Sequence, residues 1–316
     1  MNPRVKISFL AVFAVMLIAT FLFIKLGSNW GYVLPRRGTK ILAIVLTGTA
    51  IGFSTVIFQT ITNNRILTPS ILGIDSLYML VQTFVIFLFG SMSFAITSKE
   101  FNFLLSVGIM VLFTGLLFKL LFQGGGKNLY LLLLIGVVFG TLFQSLTTFM
   151  QVLIDPNEFL VVQDRMFASF NNVNTDILTL AIAGLVLATL YFIRLYKYLD
   201  VLSLGREAAI NLGVDYDYVV KRLLVIIAIL TSISTALVGP ITFLGLLVVN
   251  VAHEFLKSYQ HKYLIIGSVL IAIVALVGGQ LIVERVFTFS TTLSVIINFI
   301  GGIYFIYLLL RENKSW

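Results

Sequence analysis

The residues able to do chemistry are few, and their spacing assembles no catalytic group. Two histidines, His253 and His261, stand around the end of one apolar stretch, with Glu254 beside the first. A zinc hydrolase needs His-Glu-x-x-His on one helix face, and acid–base catalysis needs paired groups converging in a pocket. The sequence carries neither, so both histidines read as side chains at a membrane edge. The absence of cysteine removes thiolate nucleophiles, thiolate metal sites and disulfides. The run Gly124-Gly125-Gly126-Lys127 lacks the spacing of a phosphate-binding loop and reads as a flexible turn. If ATP drives this protein, another subunit must hydrolyse it. Charges inside apolar helices mark proton and ion relays. Here they reduce to Asp75, beside Gly73, and Lys119, which can snorkel to an interface. Asp75 reads as a hydrogen-bonding group at the start of a broken helix. No enzyme activity, cofactor or bound metal is expected.

The elements that carry these residues are membrane helices. The chain of 316 residues is 59% hydrophobic and only 11% charged, with a mean hydropathy of +1.06. A bilayer core about 30 Å thick takes roughly 20 apolar residues in helical form. Such runs follow one another at about 7–27, 40–61, 70–91, 101–122, 129–153, 177–196, 220–238, 241–256, 263–283 and 292–310. They are continuous and do not alternate with period two, which excludes a barrel. The fold class is therefore all-α, an integral membrane protein of about ten transmembrane helices in one domain over 1–316. The basic start (Met1 to Lys6) resembles a signal peptide, but no small-residue cleavage site follows, so it reads as a retained first helix.

The net charge of +8 fits cationic residues collected on cytoplasmic loops better than a nucleic-acid partner. With the N-terminus inside, fourteen Lys and Arg fall on inner loops, among them Arg4, Arg65, Lys127, Arg206, Lys257 and Lys314; seven, including Arg36, Arg37, Lys40 and Arg285, fall outside. That bias places both termini in the cytoplasm. Thr68-Pro69-Ser70 and Gly239-Pro240 interrupt apolar stretches, and non-helical backbone at membrane depth needs protein or a water-filled cavity around it. Uncharged polar groups are plentiful: Gln59, Thr60, Asn63, Asn64, Gln82, Gln144, Thr147, Thr148, Asn250 and Asn298. Each either faces a pathway or bonds helix to helix.

Two segments lie outside the spans. Residues 154–176 form an acidic outer loop with Asp155, Glu158, Asp164 and Asp176 against Arg165. Residues 197–219 form the longest inner segment. Ser203 can cap a short helix there, Leu204, Ala208 and Leu212 share one face, and Gly213 offers a C-terminal stop. Such a stripe packs either on its own bundle or on a cytoplasmic protein.

At this point the residues match a family. Leu34 to Asp75, LPRRGTKILAIVLTGTAIGFSTVIFQTITNNRILTPSILGID, resembles the start of the FecCD-type permeases that import iron–siderophores, haem and vitamin B12; Pro35, Arg36, Gly48, Gln59, Asn64, Pro69, Leu72 and Gly73 occupy the patterned positions. SLGREAAINLGV resembles the family's coupling element at Leu204, Gly205, Ala208, Leu212, Gly213 and Val214, and GPITFLGL from Gly239 resembles its G-x-I-x-F-x-G-L block. After that block the family usually shows Pro-His-x-x-Arg. This chain has Val-Asn-Val-Ala-His-Glu-Phe from Val249, so Asn250 and Glu254 stand for a proline and a basic residue, or the register shifts by one or two. Glu284 to Leu293 also lacks the proline of many relatives. This divergent form is similar to permeases for catecholate-type siderophores such as petrobactin or enterobactin.

The resemblance implies a type II ABC importer permease bundle in the cytoplasmic membrane of a bacterium. It would carry ferric siderophore together with a second permease, identical or paralogous, two ATPase subunits and an extracytoplasmic substrate-binding protein. Haem or cobalamin is the alternative cargo, and a secondary transporter the alternative mechanism. It further implies that 197–219 is the coupling segment, with Leu204, Gly205, Glu207, Ala208, Leu212 and Gly213 meeting the ATPase. Arg36, Arg37 and Arg285 would receive carboxylates of the binding protein, or else anchor helix ends. Gln59, Asn64, Pro69, Gly73, Gly239 and Pro240 would form the pathway or its helix breaks.

Overall fold

The computed structural model describes residues 2–25, 29–123, 129–171, 173 and 175–312. The glycine turn expected at 124–127 and the basic residue Lys314 lie outside them. Among the described residues the chain is helical, with no strand. The helices are α1 (Pro3–Phe23), α2 (Trp30–Thr62), α3 (Ile74–Phe89), α4 (Phe94–Thr97), α5 (Lys99–Gln123), α6 (Leu129–Leu153) and α7 (Pro156–Met166), followed by α8 (Thr175–Ile193), α9 (Leu199–Leu202), α10 (Arg206–Asn211), α11 (Tyr216–Val238), α12 (Leu244–Leu256), α13 (His261–Arg285) and α14 (Leu293–Glu312). Eight of these, α1, α2, α5, α6, α8, α11, α13 and α14, are long and apolar enough to cross a membrane, and α3 and α12 are shorter apolar helices. Together they match the ten expected runs.

Helix α2 is the spine. It packs against α13 on one side and α11 on the other. Gly48 and Gly52 bring its backbone onto α13, where an added Cβ would sit 3.3 Å from Ala272 Cβ and 3.2 Å from the Ser268 carbonyl oxygen. Small residues at such a contact allow the dispersion gain that drives helix association in lipid. The core divides on either side of this spine. One half gathers Phe53, Leu77, Met110, Leu132, Phe192 and Leu223; the other gathers Ala14, Ile44, Val248, Ala272 and Leu293.

The bundle has two ends. At the proximal end α1 and α13 both begin, and the Arg4 Nε–H donates to the Tyr263 hydroxyl at 3.3 Å. At the distal end both finish, and the Arg285 guanidinium donates to the Ile24 carbonyl at 3.4 Å.

The structure departs from the sequence reading in three places. Helix α2 starts at Trp30, ten residues before the apolar run at 40, and carries Pro35 inside it. The segment read as an acidic loop at 154–176 contains α7, opened by Asp155, whose carboxylate accepts from the Asn157 N–H at 2.9 Å, with Pro156 at the first position. Ser203 does not cap the short inner helix: Gly205 occupies that place, and the Ser203 hydroxyl donates to the Asp200 carbonyl at 2.7 Å.

Candidate functional site

The two short apolar helices begin inside the bundle. At 16 and 13 residues, α3 and α12 are about 24 Å and 20 Å long, less than the bilayer core. Before α3 the chain turns at Asn63, which is left-handed (φ 50°), and re-enters through a 3-10 turn over Pro69–Leu72. Gly73 then adopts φ +78° and starts α3. A Cβ there would lie 2.9 Å from Gly140 Cα, and one on Gly136 would lie 2.9 Å from the Ile71 carbonyl oxygen and Leu72 Cα. The turn thus rests directly on the backbone of α6 near its middle. Before α12 the chain breaks at Gly239 (φ +101°), where a Cβ would meet the Ala168 backbone at 3.1 Å. The freed carbonyl of Val238 accepts from the Ser169 N–H at 2.8 Å. The chain thus leaves the helical path at Pro69–Gly73 and at Gly239–Pro240, and in both places backbone of another segment packs against the glycine.

Asp75 ties the two breaks together. It lies in the first turn of α3, its Oδ1 accepting from Thr235 at 3.0 Å and its Oδ2 from Thr242 at 3.4 Å. Ser70 also bonds to it. The carboxylate stands where the starts of α3 and α12 converge, and partial positive charge at helix starts favours an anion there. A cavity of about 20 Å³ beside it, lined by Ser54, Thr55, Thr68 and Thr231, has room for a single water. This is the hydrogen-bonding role expected of Asp75.

On the outer face of α6, Thr141, Gln144, Ser145 and Thr148 are exposed. With Ser70, Gly73, Ser76, Gly136 and Gly140 they line an open groove of about 640 Å³. The Thr141, Ser145 and Thr148 hydroxyls each donate to a carbonyl one turn back at 2.9 Å. The exposed Gln144 amide on the same face suits a partner surface or water better than lipid. Gln82, by contrast, is fully buried and serves as helix glue, its amide donating to Asn102 Oδ1 at 3.1 Å and to the Ser106 hydroxyl at 2.8 Å.

At the proximal end Gln59 and Asn250 converge. The Gln59 Nε2–H donates to the Arg65 carbonyl at 2.6 Å, and the Asn250 Nδ2–H donates to the same oxygen at 3.0 Å. Asn64 Oδ1 accepts from the Ile66 N–H at 2.8 Å. Two α-helical residues and one local turn thus hold the loop that leads to Pro69.

The inner segment folds as α9 and α10. Leu199, Leu202 and Ala209 are buried and fasten it to the bundle, whereas Leu204 (62% exposed) and Leu212 (63%) face away. Gly205 takes φ +93° and Gly213 φ +83°. The Gly213 N–H donates to the Ile210 carbonyl and the Val214 N–H to the Ala209 carbonyl, the paired bonds of a glycine-terminated helix end. Glu207 lies in the first turn of α10, exposed.

At the distal end the arginines differ. Arg37 is drawn onto the end of α1, its Nη1 donating to the carbonyls of Phe21 (3.1 Å), Leu22 (2.8 Å) and Ile24 (2.8 Å). Arg36 and Arg285 are exposed. Nearby Lys40 and Glu284 form an ion pair at 2.9 Å, mostly sheltered from solvent, and Gln280 donates to the same carboxylate oxygen at 3.0 Å.

Sequence reasoning missed the surroundings of His261. Its ring is buried, Nδ1 lies 2.6 Å from Asp200 Oδ1, and Nε2 lies 2.8 Å from the Thr60 hydroxyl. The partners are 61 and 201 positions away, so no local spacing could have revealed them.

The comparisons with known proteins agree with this geometry. The sequence model of the FecCD transport family matches residues 4–311. The chain is 66% identical, over the full length of both, to the petrobactin import system permease protein YclO of Bacillus subtilis (strain 168). It is 37% identical to the petrobactin import system permease protein FatC of Bacillus anthracis, over 89% of this chain and 79% of that one. Among solved structures, an inward-facing conformation of a putative metal-chelate type ABC transporter superposes with a TM-score of 0.85, covering 98% of this chain and 100% of that one at 20% identity. At that identity the likeness concerns the fold.

Proposed function

The chain belongs to the FecCD transport family, and from that premise we propose that it is the permease subunit of an ABC importer for a ferric siderophore of the petrobactin class. The observation that carries the cargo is the end-to-end 66% identity to a petrobactin import permease. In this reading the proximal end faces the cytoplasm and both termini lie there. ATP is hydrolysed by separate subunits, and a binding protein delivers cargo at the distal end.

The geometry supports each part of that mechanism. Leu204 and Leu212 stand exposed just before and just after α10, rather than on one helical face with Ala208, which is half-buried; the segment is fastened to the bundle by Leu199, Leu202 and Ala209. Two exposed leucines flanking a short helix suit docking into an ATPase cleft. The polar groove on α6 suits a pathway shared with a second permease, whose matching face would complete it. The Pro69–Gly73 break lines that groove through Ser70, Ile71 and Gly73, so movement of this turn alters its wall. Tight cargo binding is not required of such a wall, because the binding protein supplies affinity and ATP-driven closure supplies the change of state. Arg36 and Arg285, exposed at the distal end, suit carboxylates of the binding protein.

The test is reconstitution in proteoliposomes with the partner permease, the ATPase and the binding protein. Uptake of radiolabelled ferric petrobactin should require ATP and all four components. Uptake driven by a proton gradient without ATP would overturn the reading. Preference for haem or cobalamin would overturn the cargo alone.

A further inference from the structure

We propose that Asp200, His261 and Thr60 are positioning residues for transport, a hydrogen-bonded strut that carries movement of the coupling segment to the loop before Pro69. The proposal rests on the docking role given above to 203–214.

The strut begins in the segment itself. Asp200 lies in α9, three residues before Ser203, and its Oδ1 accepts twice from one residue: from the His261 backbone N–H at 3.1 Å and from the ring at 2.6 Å. Two bonds to one oxygen fix the direction of α9 against the start of α13. The carboxylate also stands at the N-terminus of α13, where the helix dipole favours it. A charge-assisted bond this short is stiffer than a neutral one. The His261 side chain is only 4% exposed, so water competes little for it.

From the other ring nitrogen the strut passes to α2. Nε2 lies 2.8 Å from Thr60 Oγ1, which also bonds to the Val56 carbonyl at 2.7 Å. Thr60 adjoins Gln59, whose amide holds the Arg65 carbonyl, as does Asn250 of α12. Polar contacts therefore run from the coupling segment through α13 to Thr60 of α2, and the neighbouring residue of that helix, Gln59, holds the loop that opens onto Pro69 and Gly73. Apolar packing of Leu199 and Leu202 fastens the segment but gives no comparable direction.

Two features equip this connection to change state. It borders an open cavity of about 450 Å³ lined by Gln59, Thr60, Asn63, Arg65, Ser203, His253, Lys257 and His261, which leaves room for the loop to move without breaking packed core. Gln59 Oε1 is buried and has no donor among the described residues. A buried acceptor left unsatisfied in one state is an acceptor available to another.

The experiment uses the whole importer in proteoliposomes and reads three quantities: co-purification of the ATPase, ATP hydrolysis stimulated by binding protein, and siderophore taken up per ATP. Asp200→Ala is the primary variant, because Asp200 is 55% exposed on its side chain and its loss leaves the core intact. It should keep the ATPase bound and lower uptake per ATP at least tenfold. His261→Ala should do the same, and the double variant should be no worse than either single one, as expected for one connected unit. Asp200→Asn, which still accepts both bonds, should stay within threefold of wild type. Wild-type uptake per ATP in Asp200→Ala overturns the proposal. So does loss of ATPase co-purification in that variant, since the role would then be assembly. Leu204→Asp separates the two readings: it should release the ATPase, and if it does not, the docking assignment fails independently of the strut.

Discussion

Asn250 holds the carbonyl of Arg65. Its Nδ2–H reaches across from α12 at 3.0 Å while also bonding the Leu246 carbonyl one turn back at 2.9 Å, and the side chain is buried. Asn250 is a point at which the chain departs from the pattern it resembles. The amide gives that departure a physical use, because it clamps the loop between α2 and the Pro69–Leu72 turn.

Replacing Asn250 by Ala should therefore loosen the loop without unfolding the bundle. The Arg65 carbonyl keeps Gln59 as a donor, so the cost is one helix-to-loop bond, about 1 kcal/mol. A fall in melting temperature of about 2 °C for the detergent-solubilised protein is expected. Protease accessibility of residues 63–68 should rise. Unchanged accessibility would mean the clamp does not restrain the loop.

Asp75 distinguishes a structural carboxylate from an ion relay. Thr235 and Thr242 donate to its two oxygens, and an asparagine at this place still offers one acceptor and can reorient its amide. Asp75→Asn should keep ATP-driven uptake within about threefold, whereas Asp75→Leu, which leaves the hydroxyls without an acceptor, should cost about 1–3 kcal/mol and most of the activity. Loss of transport in Asp75→Asn with normal insertion would point instead to a relay.

The contact between the Pro69–Leu72 turn and α6 depends on glycine. Gly73→Ala adds a left-handed penalty of about 1–2 kcal/mol to a clash 2.9 Å from Gly140 Cα, and Gly136→Ala meets backbone at the same distance. Both should lower the melting temperature and suppress uptake. Gly108→Ala, with nothing within 4 Å of its Cβ, should change stability by less than about 1 kcal/mol. Measuring all three by thermal melts of solubilised protein tests whether close approach, and not glycine loss in general, is the cause.

What could be read beforehand followed from local chemistry. Pro69 and Gly239-Pro240 coincide with helix breaks, although Pro35 sits inside α2, and Gly213 ends α10 as a glycine stop should. The apolar runs fixed the helices because lipid leaves no other way to satisfy the backbone. Non-local relations stayed hidden. Helix α7 was missed because its acidic face reads as loop, although Asp155-Pro156 is a start signal in plain view. Helix α2 runs past its hydropathy edge because Arg36 and Arg37 interrupt the apolar run without interrupting the helix. The ring of His261 is explained only by Asp200 and Thr60, which the fold alone brings to it.

The two exposed leucines on 203–214 yield a prediction about partners. Leu212 is 63% exposed and touches no core, so Leu212→Asp should leave folding and insertion unchanged. Gly205→Arg forces a side chain onto φ +93°, and Ala208→Asp puts a charge at a half-buried position of α10 between the two leucines. All three should abolish uptake and binding-protein-stimulated ATP hydrolysis, with normal membrane levels by immunoblot. Wild-type transport in any two would remove this face from the ATPase contact.

The distal arginines should separate by what each one holds. Arg37 satisfies three carbonyls at the end of α1, the groups a helix leaves unpaired at its C-terminus. Arg37→Ala should therefore destabilise the packing of α1 by about 1–3 kcal/mol and lower the melting temperature whether or not binding protein is present. Arg36 is exposed, so Arg36→Glu should leave the melt unchanged and weaken binding-protein-dependent uptake. Because the attraction would be between exposed charges, the defect should shrink as ionic strength rises and the wild-type advantage is screened. Charge-reversing the matching carboxylate on the binding protein should restore uptake in Arg36→Glu and leave Arg37→Ala impaired. An Arg36→Glu variant with wild-type uptake at low salt would assign the docking contact elsewhere, leaving Arg285 as the distal cation to test next.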